Sequence, residues 1–215
     1  MKISELSRRS GVSVATIKYY LREGLLPKGE ATAATQAGYS EAHVRRLRLI
    51  RALAEAADLP LARVKGVLDA VDDPEIGLHR LLGTALYELG PRITPPADDP
   101  EWRRAEEATD RLLDELGWKV TSRAPARLHL ARTVATMARL GRPVGPELLR
   151  SYAETAHSTA RRDLEQIDPD RPREDNVEHA IAMTLLLEQA FVAMRRLAQE
   201  DLSARRFTAD PPEEC

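Results

Sequence analysis

Residues 1–29 read MKISELSRRSGVSVATIKYYLREGLLPKG and residues 38–53 read GYSEAHVRRLRLIRAL. Ile3 and Leu6 give a short apolar stripe at helical spacing. Gly11 then allows a turn through a positive backbone dihedral that a β-carbon opposes. Ser13 is a good N-cap, and Val14, Ile17 and Leu21 recur at three- and four-residue steps, so a second helix starts here with that face turned to the first. Thr16, Lys18, Tyr19, Arg22 and Glu23 lie off the apolar face. Hydroxyls, cations and phenols bond phosphate oxygens and base edges, and a helix start adds free N–H donors for phosphate. Of Tyr19 and Tyr20, either suits contact or core packing. Two short helices, a tight turn, a longer loop and a basic helix make the layout in which a winged helix-turn-helix presents its second helix to DNA. The residues expected at such a contact are Lys2, Ser13, Thr16, Lys18, Tyr19, Arg22, Lys28, Tyr39, His43 and Arg46.

The blocks Ile3-Ser4-Glu5-Leu6, Gly11-Val12-Ser13, Thr16-Ile17-Lys18-Tyr19-Tyr20, Glu23-Gly24-Leu25-Leu26-Pro27 and Gly38-Tyr39 occur in this order from the first residues on. Together they resemble the DNA-binding domain of the MerR family of bacterial transcription regulators, over residues 1 to about 70. Two features depart from the family pattern. Lys18 stands where members usually carry arginine, which exchanges a bidentate fork for a point charge. The wing segment KGEATAATQAG is longer than usual and lacks the arginine expected after Pro27. The resemblance implies a homodimer on an inverted-repeat element of double-stranded promoter DNA. It also implies a position between the two promoter hexamers, where twisting and bending the intervening duplex lets RNA polymerase, an indirect partner, engage both.

Charge is partitioned along the chain. Residues 1–70 hold 12 Lys and Arg against 7 Asp and Glu, and the rest hold 20 against 27, which together give the net charge of −2. A basic head suits a polyanion, and the acidic remainder is expected to avoid one. The 215 residues, 43% hydrophobic and 31% charged, allow two small, helix-rich domains. No export signal is read, and no stretch approaches about 20 uncharged apolar residues, so the expectation is a cytoplasmic protein without a membrane partner. The single cysteine, Cys215, rules out an intramolecular disulfide and argues against a multi-thiolate metal site.

Beyond the head the periodicity is helical throughout, and the predicted class is mainly α: a winged helix-turn-helix with a small β wing, a short dimerisation helix and a four-helix bundle-like C-terminal domain. The expected boundaries are 1–72 for the DNA-binding domain, 73–90 for the dimerisation helix, 91–100 for a proline-rich linker, 101–207 for the C-terminal regulatory or dimerisation domain, and 208–215 for a disordered tail. In the dimerisation helix Leu78, Leu81, Leu82, Ala85, Leu86 and Leu89 form a narrow stripe at heptad-like spacing. Asp99-Pro100, Ala124-Pro125 and Pro146 mark three helix starts. A fourth helix, from Asn176 to about Arg206, carries the run AIAMTLLLEQAFVAM, which reads as the buried centre of the bundle.

Trp102, Tyr152, His157, Met183, Thr184 and Glu188 are the candidates for a pocket that holds a small apolar effector, since such sites combine aromatic and methionine walls with a few polar groups. The alternative is an effector-independent architectural or repressing protein whose C-terminal bundle serves dimerisation or a protein partner. No pair of histidines sits at i, i+4 spacing on one predicted helix, so no metal is expected. The sequence contains neither a glycine-rich phosphate loop nor a nucleophile elbow. No cofactor is expected, and the protein is not expected to be an enzyme.

Overall fold

The computed structural model describes residues 1–33 and 36–207; the expected disordered tail, with Cys215, lies outside them. The chain is mainly α with one two-stranded hairpin, and it divides into two units. One unit comprises Met1–Leu82 with the chain from Pro169 on, and the other comprises Gly83–Asp168.

In the first unit α1 (Ile3–Ser10) ends at Gly11, whose φ of 70° is the left-handed cap conformation. A β-carbon there would also come within 2.9 Å of the Arg51 guanidinium. The second helix, α2 (Val14–Arg22), starts where expected, with Ser13 Oγ accepting the Thr16 N–H at 3.1 Å. Strands β1 (Glu30–Ala33) and β2 (Gln36–Gly38) pair antiparallel, Glu30 opposite Gly38 and Ala31 opposite Ala37, with a register shift after Ala31. Helix α3 (Glu41–Arg51) runs on into a π-helical turn at Ala52–Ala56, and α4 (Leu61–Asp72) follows. Leu6, Ile17, Leu25, Leu26, Leu47, Ile50, Leu53, Val64 and Leu68 are almost wholly buried and form the core of this small head. Each such side chain contributes roughly 1.5–3 kcal/mol.

Arg46 is corrected from a DNA contact to a core strut. It is 5% exposed, its Nε donates to the Leu25 carbonyl at 3.0 Å, and its two Nη atoms hold the Asp72 carboxylate at 2.7 Å each. One guanidinium thus joins the segment after α2, helix α3 and the end of α4. The pattern of basic residues on α3 conceals this, because the face that α3 turns inward depends on where Leu25 and Asp72 come to lie.

In the second unit α6 (Pro100–Glu115) and α7 (Pro125–Arg139) pack through small residues, Ala105, Thr109, Ala131 and Ala135, beside Trp102 and Leu112. Asp99 caps α6, accepting the N–H groups of Glu101 at 2.9 Å and Trp102 at 3.1 Å, and Arg127 holds Asp110 at 2.7 Å. Helix α8 (Pro146–Leu164) buries Ala153 alone. Helix α5 (Leu78–Leu89) passes from one unit to the other, and Leu81, Leu82 and Ala85 of its stripe are already buried within a single chain.

The last helix, α9 (Arg173–Phe207), is 35 residues long and belongs with the head, where its first turns pack on α3 and the π-helical turn. Its reading as a buried central helix is corrected: Asn176, Val177 and Ile181 are its buried residues, and from Leu186 on the apolar side chains lie open. By length and composition alone α9 is also long and apolar enough to cross a membrane, with Glu188 interrupting its apolar run. An apolar circumference signals a surface to be covered; it does not say by what.

Replacing Arg46 with Ala removes four hydrogen bonds and leaves a buried carbonyl without its donor. A loss of about 2–4 kcal/mol is expected in urea unfolding. Arg8→Ala, which removes an exposed pair with Glu5, leaves the unfolding midpoint in place.

Candidate nucleic-acid interface

With Ile17 and Tyr20 buried, α2 turns Lys18, Tyr19 and Arg22 outward. Burial decides between the two tyrosines: Tyr20 is 7% exposed and joins the core, whereas Tyr19 is 36% exposed. Lys18 and Arg22 are four residues apart and so stand one above the other on the same face. Beyond α2 a cleft is lined by Leu21, Arg22, Lys28, Gly29, Ala37 and Tyr39, which brings the end of the helix and the root of the wing to one place. Lys2 follows Met1, whose carbonyl accepts the Tyr39 N–H at 2.9 Å, so an exposed ammonium also stands near the base of the wing.

Ser13 and Thr16 open α2 as a cap. Their hydroxyls bond each other at 2.8 Å, which uses one O–H and leaves the other to be donated outward at the helix start. Their part in DNA binding is therefore tied to keeping the first turn of α2 in shape.

Of two further expected contacts, Tyr39 is buried and His43 is half-buried, and both pack between the wing and the start of α3. Tyr39 is 8% exposed and forms a wall of the cleft. His43 sits in the first turn of α3, where its Nδ1 accepts the Ser40 N–H at 3.1 Å and its ring meets Tyr39 edge-on at 5.2 Å. Burial lowers the imidazole pKa, against the opposing pull of the Lys28 carbonyl and the Glu30 carboxylate. A neutral ring is what Nδ1 needs in order to accept. Since the folded-state pKa lies below the ordinary 6.5, stability from this histidine is present above that value and declines as the pH falls through it.

Gly29 was not singled out in the sequence. A β-carbon there would lie 2.6 Å from the Gly38 carbonyl oxygen and 3.1 Å from the Tyr39 ring, so the close approach of the two wing strands requires glycine. The signal available was a glycine directly between the last exposed cation of the turn, Lys28, and the first strand residue, Glu30.

A helix carrying Lys18, Tyr19 and Arg22, flanked by a hairpin and framed by Lys2 and Lys28, defines a winged helix-turn-helix of the DNA-binding class. Residues 1–71 match the model of the MerR HTH family regulatory proteins. Over 96 residues, 43% of this chain and 70% of the other, the protein is 31% identical to the HTH-type transcriptional regulator ZntR homolog of Haemophilus influenzae. It is 36% identical over 74 residues to the mercuric resistance operon regulatory protein of Bacillus cereus, covering 34% of this chain and 55% of that one. The crystal structure of the putative transcriptional regulator SCO5550 from Streptomyces coelicolor A3(2) matches 99% of this chain and all of its own, with a TM-score of 0.75 and 40% identity. The chain belongs to the MerR family and is a transcription regulator of that type.

Lys18→Ala is expected to weaken DNA binding and to reduce the slope of log affinity against log salt by about one unit, because one phosphate contact is lost. Gly29→Ala displaces the wing and should lower affinity with α2 intact. Fluorescence anisotropy across a salt series, with circular dichroism as the check on folding, measures both.

Proposed function

We propose that the protein acts as a homodimer on an inverted-repeat promoter element, with α2 of each copy in a major groove and each wing on the adjoining backbone. The carrying observation is the grouping of Lys18 and Arg22 on α2 with Lys28 at the wing root, in a chain whose relatives are MerR-type regulators. Two heads and two wings supply phosphate contacts whose energy offsets twisting and bending of the spacer, a cost of order 1–6 kcal/mol for a site of this kind. Lys18 and Lys28, as point charges, suit this work of positioning more than the reading of single bases. Tyr19 and the free hydroxyl of the Ser13–Thr16 pair are the groups placed to read sequence or fix register.

Control by an apolar effector is the finer part of this reading. Trp102, Tyr152 and His157 belong to the unit 83–168, whereas Met183, Thr184 and Glu188 lie on α9. Trp102 is buried at 4% exposure, while Tyr152, His157, Thr184 and Glu188 are exposed. His157 stacks on Trp118 at 5.7 Å. This distribution supports the effector-independent reading, in which the C-terminal region serves assembly.

Genomic fragments bound by the full-length protein should share an inverted repeat. Permanganate footprinting of a promoter that holds one should give reactive bases at the centre of the spacer, with altered transcription by added polymerase. Protection of a site without symmetry, or without any change in base reactivity, would count against the distortion mechanism. A rise in melting temperature with an apolar compound, together with a change in promoter output, would restore the effector.

A further inference from the structure

The acidic remainder of the chain contains a stretch of the opposite sign. Residues 116–146, which hold α7 and the turns on either side of it, carry six Lys and Arg and no Asp or Glu. Two of the six are used inside the unit, Arg127 on Asp110 and Glu106 of α6 and Arg139 on Asp99. The other four, Lys119, Arg123, Arg132 and Arg142, are exposed and form no ion pair among the described residues.

The stability of α7 does not account for this pattern. A helix start favours acidic side chains, and α6, α8 and α9 each carry one or two in the first turn. Helix α7 carries none, and Arg123 stands directly before its N-cap, Ala124, where a cation opposes the positive end of the helix. At the other end Arg142 is fixed by its backbone N–H, which donates to the Met137 carbonyl at 2.9 Å in the turn through Gly141. Between the two ends Arg132, Thr133 and Thr136 are exposed, while Ala131 and Ala135 are buried. The two threonine hydroxyls donate to the carbonyls of His129 at 2.9 Å and Arg132 at 2.8 Å, so their protons stay within the helix and charge is what the face presents.

We propose that this face makes a second, sequence-independent contact with duplex DNA, on the phosphate backbone flanking the site that α2 reads. The inference rests on the reading of the protein as a regulator bound to an inverted repeat. Unpaired cations without outward hydroxyl donors suit phosphates, which position a protein, more than base edges, which specify a sequence. At 1.5 Å per residue the 15 residues of α7 span about 22 Å. One strand presents six or seven phosphates over that length, at ~3.4 Å each. The unit is joined to the head by direct chain connections, before Gly83 within α5 and after Asp168. A duplex held by α2 therefore raises the local concentration of phosphate around it.

The test compares full-length wild type with a variant that combines Lys119→Gln, Arg123→Gln, Arg132→Gln and Arg142→Gln. Two duplexes serve as probes: an inverted repeat selected from genomic fragments, and the same repeat with random-sequence flanks of about 20 base pairs on each side. At low salt wild type should bind the flanked duplex at least tenfold more tightly, with a slope of log affinity against log salt steeper by about two units or more. The variant, with unchanged circular dichroism and melting temperature, should bind both duplexes alike and keep the wild-type affinity for the bare repeat. Arg123→Lys, Arg132→Lys and Arg142→Lys together should keep the preference for flanks, since point charges suffice for phosphate. Equal affinity of wild type for the two duplexes overturns the face, as does a Gln variant that still prefers flanks. A Gln variant that loses promoter output with added polymerase while its DNA binding is unchanged also overturns it, and points to an acidic protein partner instead. If no repeat is selected, the probe is a random-sequence duplex of about 40 base pairs at low salt. Binding that the four substitutions remove then sinks the regulatory reading and leaves the face standing, whereas binding that they leave unchanged, or no binding at all, sinks the face.

Discussion

The last turn of α4 governs this structure. A helix ends with carbonyls that lack intrahelical donors and with partial negative charge, and here that end is buried around Ala70 and Val71. Two arginines from distant parts of the chain serve it. Arg46 from α3 grips Asp72, and Arg173, about a hundred residues on, donates to the carbonyls of Ala70, Val71 and Asp73. Left without donors, each buried carbonyl would cost about 1–3 kcal/mol, a large part of the stability of so small a head. The guanidinium fork, with five donors fixed in a plane, grips a carboxylate with two parallel bonds while it serves a further carbonyl, a geometry that a lysine ammonium lacks.

From that turn the two functional ends of the head take their places. Through Arg46 the segment after α2 is fixed by its Leu25 carbonyl, and Leu25 and Leu26 are buried beside it. The recognition face of α2 therefore has a rigid support, and the wing root at Lys28 and Gly29 begins from a fixed point. His43 and Tyr39 extend the same logic to the far end of the wing, where a neutral imidazole and an aromatic edge hold the start of α3. Arg46 and Tyr39, which look like DNA contacts in the sequence, are thus buried supports of the segments that carry Lys18, Tyr19, Arg22 and Lys28.

Through Arg173 the turn also decides the fate of α9. The chain leaves the head at Leu82, builds α6, α7 and α8, and returns at Pro169 to lay α9 against α3. Glu178 shows how close that contact is: burial raises its pKa, with the Arg48 charge on α3 pulling the other way. Beyond the contact α9 continues as an exposed apolar rod, so one helix joins a fixed attachment to the head with a long free face.

What the sequence determined by itself was local. The Gly11 turn, the Ser13 cap, the outward face of α2, the Asp99-Pro100 start of α6 and the helix after Pro146 all follow from backbone sterics and short-range hydrogen bonding, which act between near neighbours. Membership of the family was legible for the same reason, since its motifs are these local devices in a fixed order. Tertiary structure alone decided which of Tyr19 and Tyr20 is buried, that Arg46 and His43 turn inward, that Gly29 must lack a side chain, and that α9 packs on the head. Each of these depends on a carbonyl, ring or helix end brought in from elsewhere in the chain: from Leu25 and Asp72 for Arg46, from Gly38 for Gly29, from Val71 for Arg173. Periodicity reports that a face is apolar, but whether the chain itself covers that face, as for the α5 stripe, or leaves it open, as along α9, is settled by long-range packing that the spacing of residues does not encode.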